Sequence, residues 1–422
     1  MRLLPRLCSI LLFTVLVFGT LAYLYVPFGF TNDPPDRLCV SPHYKIKPNS
    51  SLPLQRKPDF YPPLSTSGRN IVDKDGNEVQ LRSINWYGAS DIFFVPSGLD
   101  VAHRDNISAL IRRMGFNSVR LPYSDELVLT KPTIEPHLLE SNPDLIGKNA
   151  LEVYHSVIES LTSHGLFVIP NNHITQGTWC CGANLCDAQW SNDWLGPICR
   201  IRQTETQWIE NWKAVMHPLA ENRLVIGADL RNEVRALWGT LRWATWAAAA
   251  ERCSEQLLDI NPDWLMIVEG LSSANDLSGV RKRPIELSID NKVVYSSHVY
   301  AWSGWGQHNP YSKATYEEFA QAMQKNWAYL VEENIAPVWV GEFGTSDMPT
   351  KGDRNYWTHL IRYLRNLDVS FGYWAINPRK PLNYERESYG MVDDNWEMVT
   401  WDYRLVDLQK LGLNTSLLGE LK

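Results

Sequence analysis

Beyond residue 80, short apolar segments alternate with longer amphipathic ones along the chain. The longer stretches carry apolar residues three or four positions apart, which predicts helices. These helices are expected at residues 104–114, 151–163, 243–258, 316–332 and 356–367. The short segments predict eight buried strands, at residues 81–84, 118–121, 166–169, 224–226, 265–268, 293–295, 337–340 and 371–375. The alternation predicts a parallel α/β sheet, and eight units in about 340 residues predict a (β/α)8 TIM barrel.

A doubly wound open sheet is the alternative arrangement of the same alternating pattern. A nucleotide-binding sheet of that kind carries a glycine-rich phosphate loop after its first strand, and none follows residues 81–84. This difference favours the barrel. Ahead of it, residues 70–72 and 79–81 flank a turn at Lys74-Asp75-Gly76-Asn77, which predicts an N-terminal β-hairpin.

The N-terminus predicts export or membrane anchoring. Arg2 and Arg6 precede an uncharged, mostly apolar run at residues 7–26, and about 20 such residues span a bilayer. A weak cleavage pattern favours an uncleaved anchor over a cleaved signal peptide. Either one places the rest of the chain outside the cell or in a lumen, secreted or as a type II membrane protein. We therefore expect a signal-anchor or signal peptide at 1–28, a Pro-rich stalk or strap at 29–66, and the barrel domain at 67–422.

Cysteine usage and glycosylation motifs agree with an exported protein. Cys8 lies in the apolar run, and the other six cysteines form an even set of disulfide candidates. They are Cys39, Cys180, Cys181, Cys186, Cys199 and Cys253. A zinc site is the alternative, but the vicinal pair lacks a histidine at ligand spacing. Glycosylation sequons begin at Asn49, Asn106 and Asn414.

Composition indicates a neutral ligand. The net charge is -7 and no Lys/Arg-rich run is present, so there is no electrostatic reason to expect a nucleic-acid partner. Tryptophan occurs 18 times, more than packing normally requires, and flat aromatic rings stack on the faces of sugars. We expect a monomer that binds a glycan.

Polar and aromatic residues follow each predicted strand, where the loops of a barrel build an active site. They are Asn85, Trp86, Arg120, His173, Asn232, Glu233, Glu269, His298, Tyr300, Glu342 and Trp374. Breaking a glycosidic bond requires two carboxyl groups, and retention of configuration requires them about 5–5.5 Å apart. Glu233, Glu269 and Glu342 all qualify by position, so spacing leaves the choice of pair open.

Two of these segments carry a resemblance to a known family. Residues 224–233 resemble the fourth-strand segment of glycoside hydrolase family five, the cellulase family, and residues 338–344 resemble its seventh-strand segment. The likeness continues as strand-end matches over about residues 70–377. Val234 stands where the family usually has proline, and Asn172 where an acidic residue commonly precedes the histidine.

The resemblance implies Glu233 as acid/base and Glu342 as nucleophile. It implies that Asn232 binds the sugar 2-hydroxyl in the −1 subsite, and that Arg120 and Tyr300 hold Glu342 ionised and oriented. It further implies that His173 and His298 line that subsite and that Trp374 is a platform beneath the sugar. Trp179, Trp194, Trp238, Trp302 and Trp305 on the rim loops are further candidate platforms.

The activity that the resemblance implies is double-displacement cleavage of internal β-1,4 bonds in a cellulose-like β-glucan, with no metal or organic cofactor. The same catalytic set serves mannans, other β-glucans and glycosylated lipids, so these substrates stay open. A membrane anchor would favour the lipid or cell-wall alternatives. A catalytically silent glycan-binding barrel is a further alternative, although binding alone needs no pair of glutamates.

Overall fold

A computed structural model describes residues 44–48, 57–182, 184–236, 240–303 and 310–418. The predicted anchor at 7–26, together with Cys8, Cys39, Asn49, Trp238 and Trp305, lies outside these ranges. Among the described helices, none combines the length and the apolar character needed to cross a membrane.

Eight parallel strands close into a barrel in chain order, with the last strand pairing back onto the first. This confirms the predicted (β/α)8 fold. The strands are β5 (Arg82–Asn85), β6 (Ser118–Ser124), β7 (Phe167–Ile174), β8 (Gly227–Asp229), β9 (Leu265–Glu269), β10 (Val293–His298), β11 (Val338–Phe343) and β12 (Ser370–Tyr373). Their register sets Asn85 opposite Arg120 and His298 opposite Glu342, so polar side chains of neighbouring strands meet at one rim.

Helices lie between the strands and cover the barrel. They are α1 (Arg104–Arg113), α2 (Asp125–Thr130), α3 (Ala150–Ser163), α4 (Glu205–Met216), α5 (Trp243–Leu258), α6 (Leu271–Ala274), α7 (Tyr316–Met323), α8 (Tyr329–Glu332), α9 (Lys351–Leu367) and α10 (Tyr403–Gln409). Side-chain caps begin several of them; Asn149 and Thr350, for example, form capping boxes with Glu152 and Asp353.

Three details of the predicted elements are corrected. The fourth barrel strand is Gly227–Asp229 rather than 224–226, because Val225 makes only an isolated bridge to Val168. The predicted helix 316–332 is divided by a π-helical turn at Gln324–Ala328. Helix α4 was not predicted, although its buried Trp208, Trp212 and Val215 have helical spacing.

A small antiparallel sheet precedes the barrel. The predicted hairpin is present as β3 (Asn70–Val72) and β4 (Glu78–Val79), and β2 (Ser65–Ser67) adds a third strand. Ile71 and Val79 of this sheet share one apolar cluster with barrel residues such as Phe167 and Leu265. The sheet therefore packs against the end of the barrel where the strands begin, opposite the rim that carries the polar side chains.

The segment before this sheet is tied to the C-terminal part of the domain. Strand β1 (Tyr44–Ile46) pairs antiparallel with β13 (Val399–Trp401), and the Lys45 ammonium donates a hydrogen bond to the Thr400 hydroxyl. This part of the predicted stalk or strap is therefore held against the domain by a strand pair.

The structure divides the cysteine candidates. Cys180 pairs with Cys181, and Cys186 pairs with Cys199. The prediction that Cys253 is a disulfide cysteine is wrong, because Cys253 is a fully buried free thiol on α5, surrounded by the apolar core. Asn106 and Asn414, which begin two predicted sequons, are exposed as glycosylation would require.

Candidate active site

Two strand-end glutamates and one histidine meet at the carboxyl rim of the barrel. Glu342 lies on β11, and Glu233 follows β8 by four residues. A carboxylate oxygen of each glutamate and a ring nitrogen of His298 all lie within 4.8 Å of one another. This is the spacing of a retaining glycosidase, since an inverting pair is separated by about 6.5–9.5 Å.

The buried guanidinium of Arg120 organises the rest of the site. Its Nε donates to Asp229 Oδ2 at 2.7 Å, and its Nη2 donates to Asn232 Oδ1 at 2.7 Å and Glu269 Oε1 at 3.0 Å. Its Nη1 donates to Asn85 Oδ1 at 3.0 Å and also to Glu342 Oε1. One side chain on β6 therefore connects residues on or directly after β5, β8, β9 and β11.

Both oxygens of Glu342 are held. Arg120 donates to Oε1, while the Tyr300 hydroxyl donates to Oε2 at 2.9 Å. Hydrogen bonds to an ionised carboxylate are roughly twice as strong as neutral ones. The two contacts thus fix the orientation of the Glu342 side chain, of which 6% is exposed.

Glu233 has a different environment. Burial raises its pKa to about 7, against the opposing effects of Arg235 and Arg120. Its side chain keeps 14% of its surface exposed, and His298 Nδ1 lies 3.2 Å from its Oε1. Since burial also lowers the pKa of His298 to about 4, that imidazole is neutral near neutral pH. Glu233 therefore retains its proton to a higher pH than an ordinary glutamic acid does.

Glu269, the third candidate, stabilises other residues of the site through hydrogen bonds. It is fully buried, and its two oxygens accept from Arg120 Nη2 and from the Glu233 backbone N–H, the latter at 2.6 Å. The same contact holds Glu233 in a left-handed conformation with φ of 47°. Burial and the nearby Asp229 raise the pKa of Glu269 well above its ordinary value. This geometry removes Glu269 from the choice of catalytic pair.

Three stacked aromatic rings lie beside these carboxyl groups. The Trp374 ring is nearly parallel to the rings of Tyr87 and His173, with centroids 5.1 and 5.6 Å away. His173 Nδ1 is paired with Asn171 Oδ1 at 2.9 Å, which fixes the imidazole plane. Trp374 is only half-buried, so one part of this rigid stack can contact a ligand.

The rim tryptophans are not equivalent. Trp302 is 49% exposed and stacks on Tyr300 with centroids 4.5 Å apart, and Trp179 is 40% exposed and meets Tyr87 edge-on at 5.3 Å. These two extend the aromatic surface from the site. Trp194, also exposed, lies on the helical segment Asp193–Ile198 of the same long loop as Trp179.

The sequence did not single out Asp229 or Tyr87. Asp229 accepts from Arg120 and, at 3.0 Å, from Asn171 Nδ2. An acidic residue inside an apolar strand is a signal of a buried ion pair, and it was present in Gly227–Asp229. Tyr87 lies two residues after the first barrel strand, where the predicted site residues were Asn85 and Trp86. Trp86 instead is fully buried and donates to the Ser97 carbonyl.

Two groups of side chains have the spacing of metal ligands among the described residues. One is His173 with Cys180 and Cys181, and the other is Glu233 with His298 and Glu342. The two sulfurs of the first group are joined in a disulfide, and a metal requires thiolates. In the second group the Arg120 cation already neutralises Glu342, and it would repel a metal ion bound there.

Comparisons with known proteins agree on one family. The Cellulase model, glycosyl hydrolase family 5, matches residues 72–380. An endoglucanase of Paenibacillus polymyxa is 30% identical over 352 residues, covering 80% of this chain and 83% of that protein. The major extracellular endoglucanase of Xanthomonas campestris is 26% identical, with 84% and 72% covered. The solved complex of a Pyrococcus horikoshii endocellulase with cellotetraose has the same fold, with a TM-score of 0.70, 24% identity, and 85% and 100% covered.

Removal of the Arg120 side chain should strongly destabilise the domain. Arg120→Ala leaves Asp229, Glu269 and Glu342 buried without their cation, and we expect the free energy of unfolding to fall by about 3–5 kcal/mol. Urea denaturation measures this change. Arg281→Ala is the matched control, because the side chains of Arg281 and its partner Glu333 are 51% and 49% exposed and loss of such an ion pair should cost below about 1 kcal/mol. Equal losses in the two variants would contradict the assigned role.

Proposed function

This chain belongs to the cellulase family, glycosyl hydrolase family 5, and it is a retaining O-glycosyl hydrolase that cleaves internal β-1,4-glucosidic bonds of cellulose-like glucan. We propose that Glu233 is its acid/base and Glu342 its nucleophile. The observation that carries this assignment is the approach of the two carboxyl groups to within 4.8 Å. It is supported by the proton-holding surroundings of Glu233 and by the two donors on Glu342.

In the first half of the reaction, Glu233 donates its proton to the departing glycosidic oxygen while Glu342 attacks the anomeric carbon. Tyr300 and Arg120 orient the attacking carboxylate. Asn232, whose Oδ1 accepts from Arg120, directs its amide Nδ2 away from that cation and donates from it to the sugar 2-hydroxyl when substrate is bound. A hydrogen bond to that hydroxyl strengthens as positive charge develops on the ring.

In the second half, Glu233 is the base. Once Glu342 is esterified it carries no charge, so the nearby proton on Glu233 is held less tightly and is released. The Glu233 carboxylate then takes a proton from water, which attacks the anomeric carbon and frees Glu342. Neutral His298, 3.2 Å from Glu233 Oε1, keeps this carboxyl group in position through both steps.

The aromatic surface suits an extended glucan. Trp374 lies beside the catalytic pair as the platform for the −1 sugar, and Trp179 and Trp302 flank it through their contacts with Tyr87 and Tyr300. The Pyrococcus horikoshii relative was solved with cellotetraose, and the exposed rings of Trp179 and Trp302 offer further stacking surfaces for such a chain here. A cleft that accepts an internal bond accounts for endo action.

We also propose that the enzyme works outside the cytoplasm. The apolar run at residues 7–26, the exposed sequon asparagines Asn106 and Asn414, and the Cys186–Cys199 disulfide support export. The Xanthomonas campestris relative is an extracellular enzyme.

The substrate assignment predicts a pattern of hydrolysis. Carboxymethylcellulose should release glucose oligomers, with viscosity falling well before reducing ends accumulate, whereas mannan and glucosylceramide should be hydrolysed far more slowly. Viscometry with a reducing-end assay measures both. Glu342→Ala, which should bind the glucan without cleaving it, is the control for contaminating activity. Faster hydrolysis of mannan or glucosylceramide than of cellulose derivatives would overturn the substrate assignment.

The nucleophile can be identified by trapping. A 2-deoxy-2-fluoro β-cellobioside with an activated leaving group should form a stable ester, because the fluorine slows both steps while the activated leaving group speeds only the first. Peptide mass spectrometry should find the adduct on Glu342. Glu342→Ala should give no adduct. Labelling of Glu269 or Glu233 instead would show that the pair has been assigned wrongly.

The acid role of Glu233 predicts a basic limit to activity. Since its pKa is raised to about 7, the proton is present below that pH and lost above it. We expect kcat/KM on cellooligosaccharides to fall about tenfold per pH unit well above pH 7. An aryl cellobioside with a dinitrophenolate leaving group needs no protonation, so its profile should stay flat there. Glu233→Gln should remove the basic limb and retain activity only on the activated substrate. A limb that persists in this variant would assign it to another group.

A further inference from the structure

A disulfide between adjacent cysteines lies against the side chain of Asn232. The Asn232 Nδ2 is 3.2 Å from Cys181 Sγ and 3.4 Å from Cys180 Sγ, within the range of N–H···S hydrogen bonds. On its other side, Asn232 Oδ1 accepts from Arg120 at 2.7 Å. Both ends of one buried amide are therefore engaged, one by a cation and the other by the disulfide.

The disulfide is held at the rim by its neighbours. Trp179, the residue before it, packs edge-on against Tyr87 and lies under the Lys380 ammonium. Gly182, the residue after it, offers its carbonyl to Arg235 Nη2 at 3.0 Å, and Arg235 also bonds the Glu233 carbonyl at 3.2 Å. His173 lies within 4.8 Å of both sulfurs. The pair is thus anchored to the segment that carries Glu233 and faces the platform stack.

The chemistry of the two sulfurs suits an orienting role. A disulfide sulfur can accept a hydrogen bond but has no proton to donate, whereas each thiol can do both. In the oxidised state only the N–H side of the Asn232 amide can face the sulfurs, which agrees with the Arg120 contact to Oδ1. Because sulfur is a weak acceptor, it can hold the amide in the free enzyme and yield an N–H to a sugar hydroxyl.

We propose that the Cys180–Cys181 disulfide is a positioning element of the −1 subsite, which orients the Asn232 amide toward the sugar 2-hydroxyl and makes this contact sensitive to reduction. The inference rests on the proposed role of Asn232. The cysteines act through Asn232, and they take no part in bond making or breaking at the sugar.

The two disulfides differ in access to a reductant. Cys180 and Cys181 are partly exposed, whereas Cys186 and Cys199 are buried. A dithiol such as dithiothreitol would transfer two electrons and two protons to the exposed pair, leaving two protein thiols and one cyclic disulfide of the reductant. The two neighbouring side chains are then no longer joined, and the amide loses its acceptor-only partner.

The test compares substrates with and without the 2-hydroxyl. Two aryl β-cellobiosides are used, one native and one lacking the 2-hydroxyl on the ring that bears the aryl group. The measured quantity is the kcat/KM of the native substrate divided by the kcat/KM of the substrate that lacks the 2-hydroxyl. Because both substrates meet the same enzyme, a general loss of folded protein or of catalytic power cancels from the ratio. The difference in intrinsic reactivity of the two substrates cancels when enzyme forms are compared.

We expect Cys180→Ala/Cys181→Ala to lower this ratio about tenfold, the size of effect that loss of one ordinary hydrogen bond produces. Asn232→Ala should lower it at least as far, and adding the cysteine changes to Asn232→Ala should lower it no further, because the two sites act through one contact. Native wild-type enzyme treated with dithiothreitol should behave like the cysteine variant, and the variant itself should not respond to the reductant.

The outcomes separate the two proposals. An unchanged ratio in Asn232→Ala would overturn the role of Asn232 itself. A lowered ratio in Asn232→Ala with a wild-type ratio in both the cysteine variant and the reduced enzyme would leave that role standing and overturn the inference about the disulfide. If the alanine pair does not fold, the reduced wild-type enzyme decides the question, with peptide mapping of alkylated cysteines to show that Cys186–Cys199 stayed intact.

Discussion

The buried Arg120 guanidinium is the interaction on which the rest of the site depends. It donates to five side chains on or directly after four other barrel strands, and three of these side chains are carboxyl groups. Burying such a cluster rarely adds stability compared with an apolar core, although breaking it by removing one partner is costly. Its contribution at the carboxyl end of this barrel is therefore to function, because it places Glu342 and Asn232 on either side of one cation.

The same cluster makes two glutamates chemically different. Glu342 receives donors on both oxygens, whereas Glu233 contacts a neutral imidazole and has its pKa raised by burial to about 7. Glu269 contributes through the Glu233 backbone, which it holds in a left-handed conformation. The proposed proton donor and the proposed nucleophile thus differ in their surroundings rather than in residue type, which is the requirement for acid and nucleophilic catalysis at one pH.

Rigid aromatic layers surround this polar centre. Trp374 is supported by Tyr87 and His173, and Tyr300 carries Trp302 on its face while its hydroxyl orients Glu342. A substrate ring placed on these surfaces is positioned by groups that also contact the reacting carboxylate. Binding energy from stacking can in this way be converted into alignment at the scissile bond.

The sequence by itself determined the barrel, because period and strand length are local properties that eight repeated units reinforce, and it placed the polar residues at one rim, because parallel strands end there together. It did not determine the exact start of β8, helix α4, the burial of Cys253, or the contacts of Asp229 and Tyr87. Only the tertiary structure decided which two of three similar glutamates meet across the cleft. Distance, burial and hydrogen-bond partners arise from residues far apart in the chain, and they are what give each carboxyl group its chemistry.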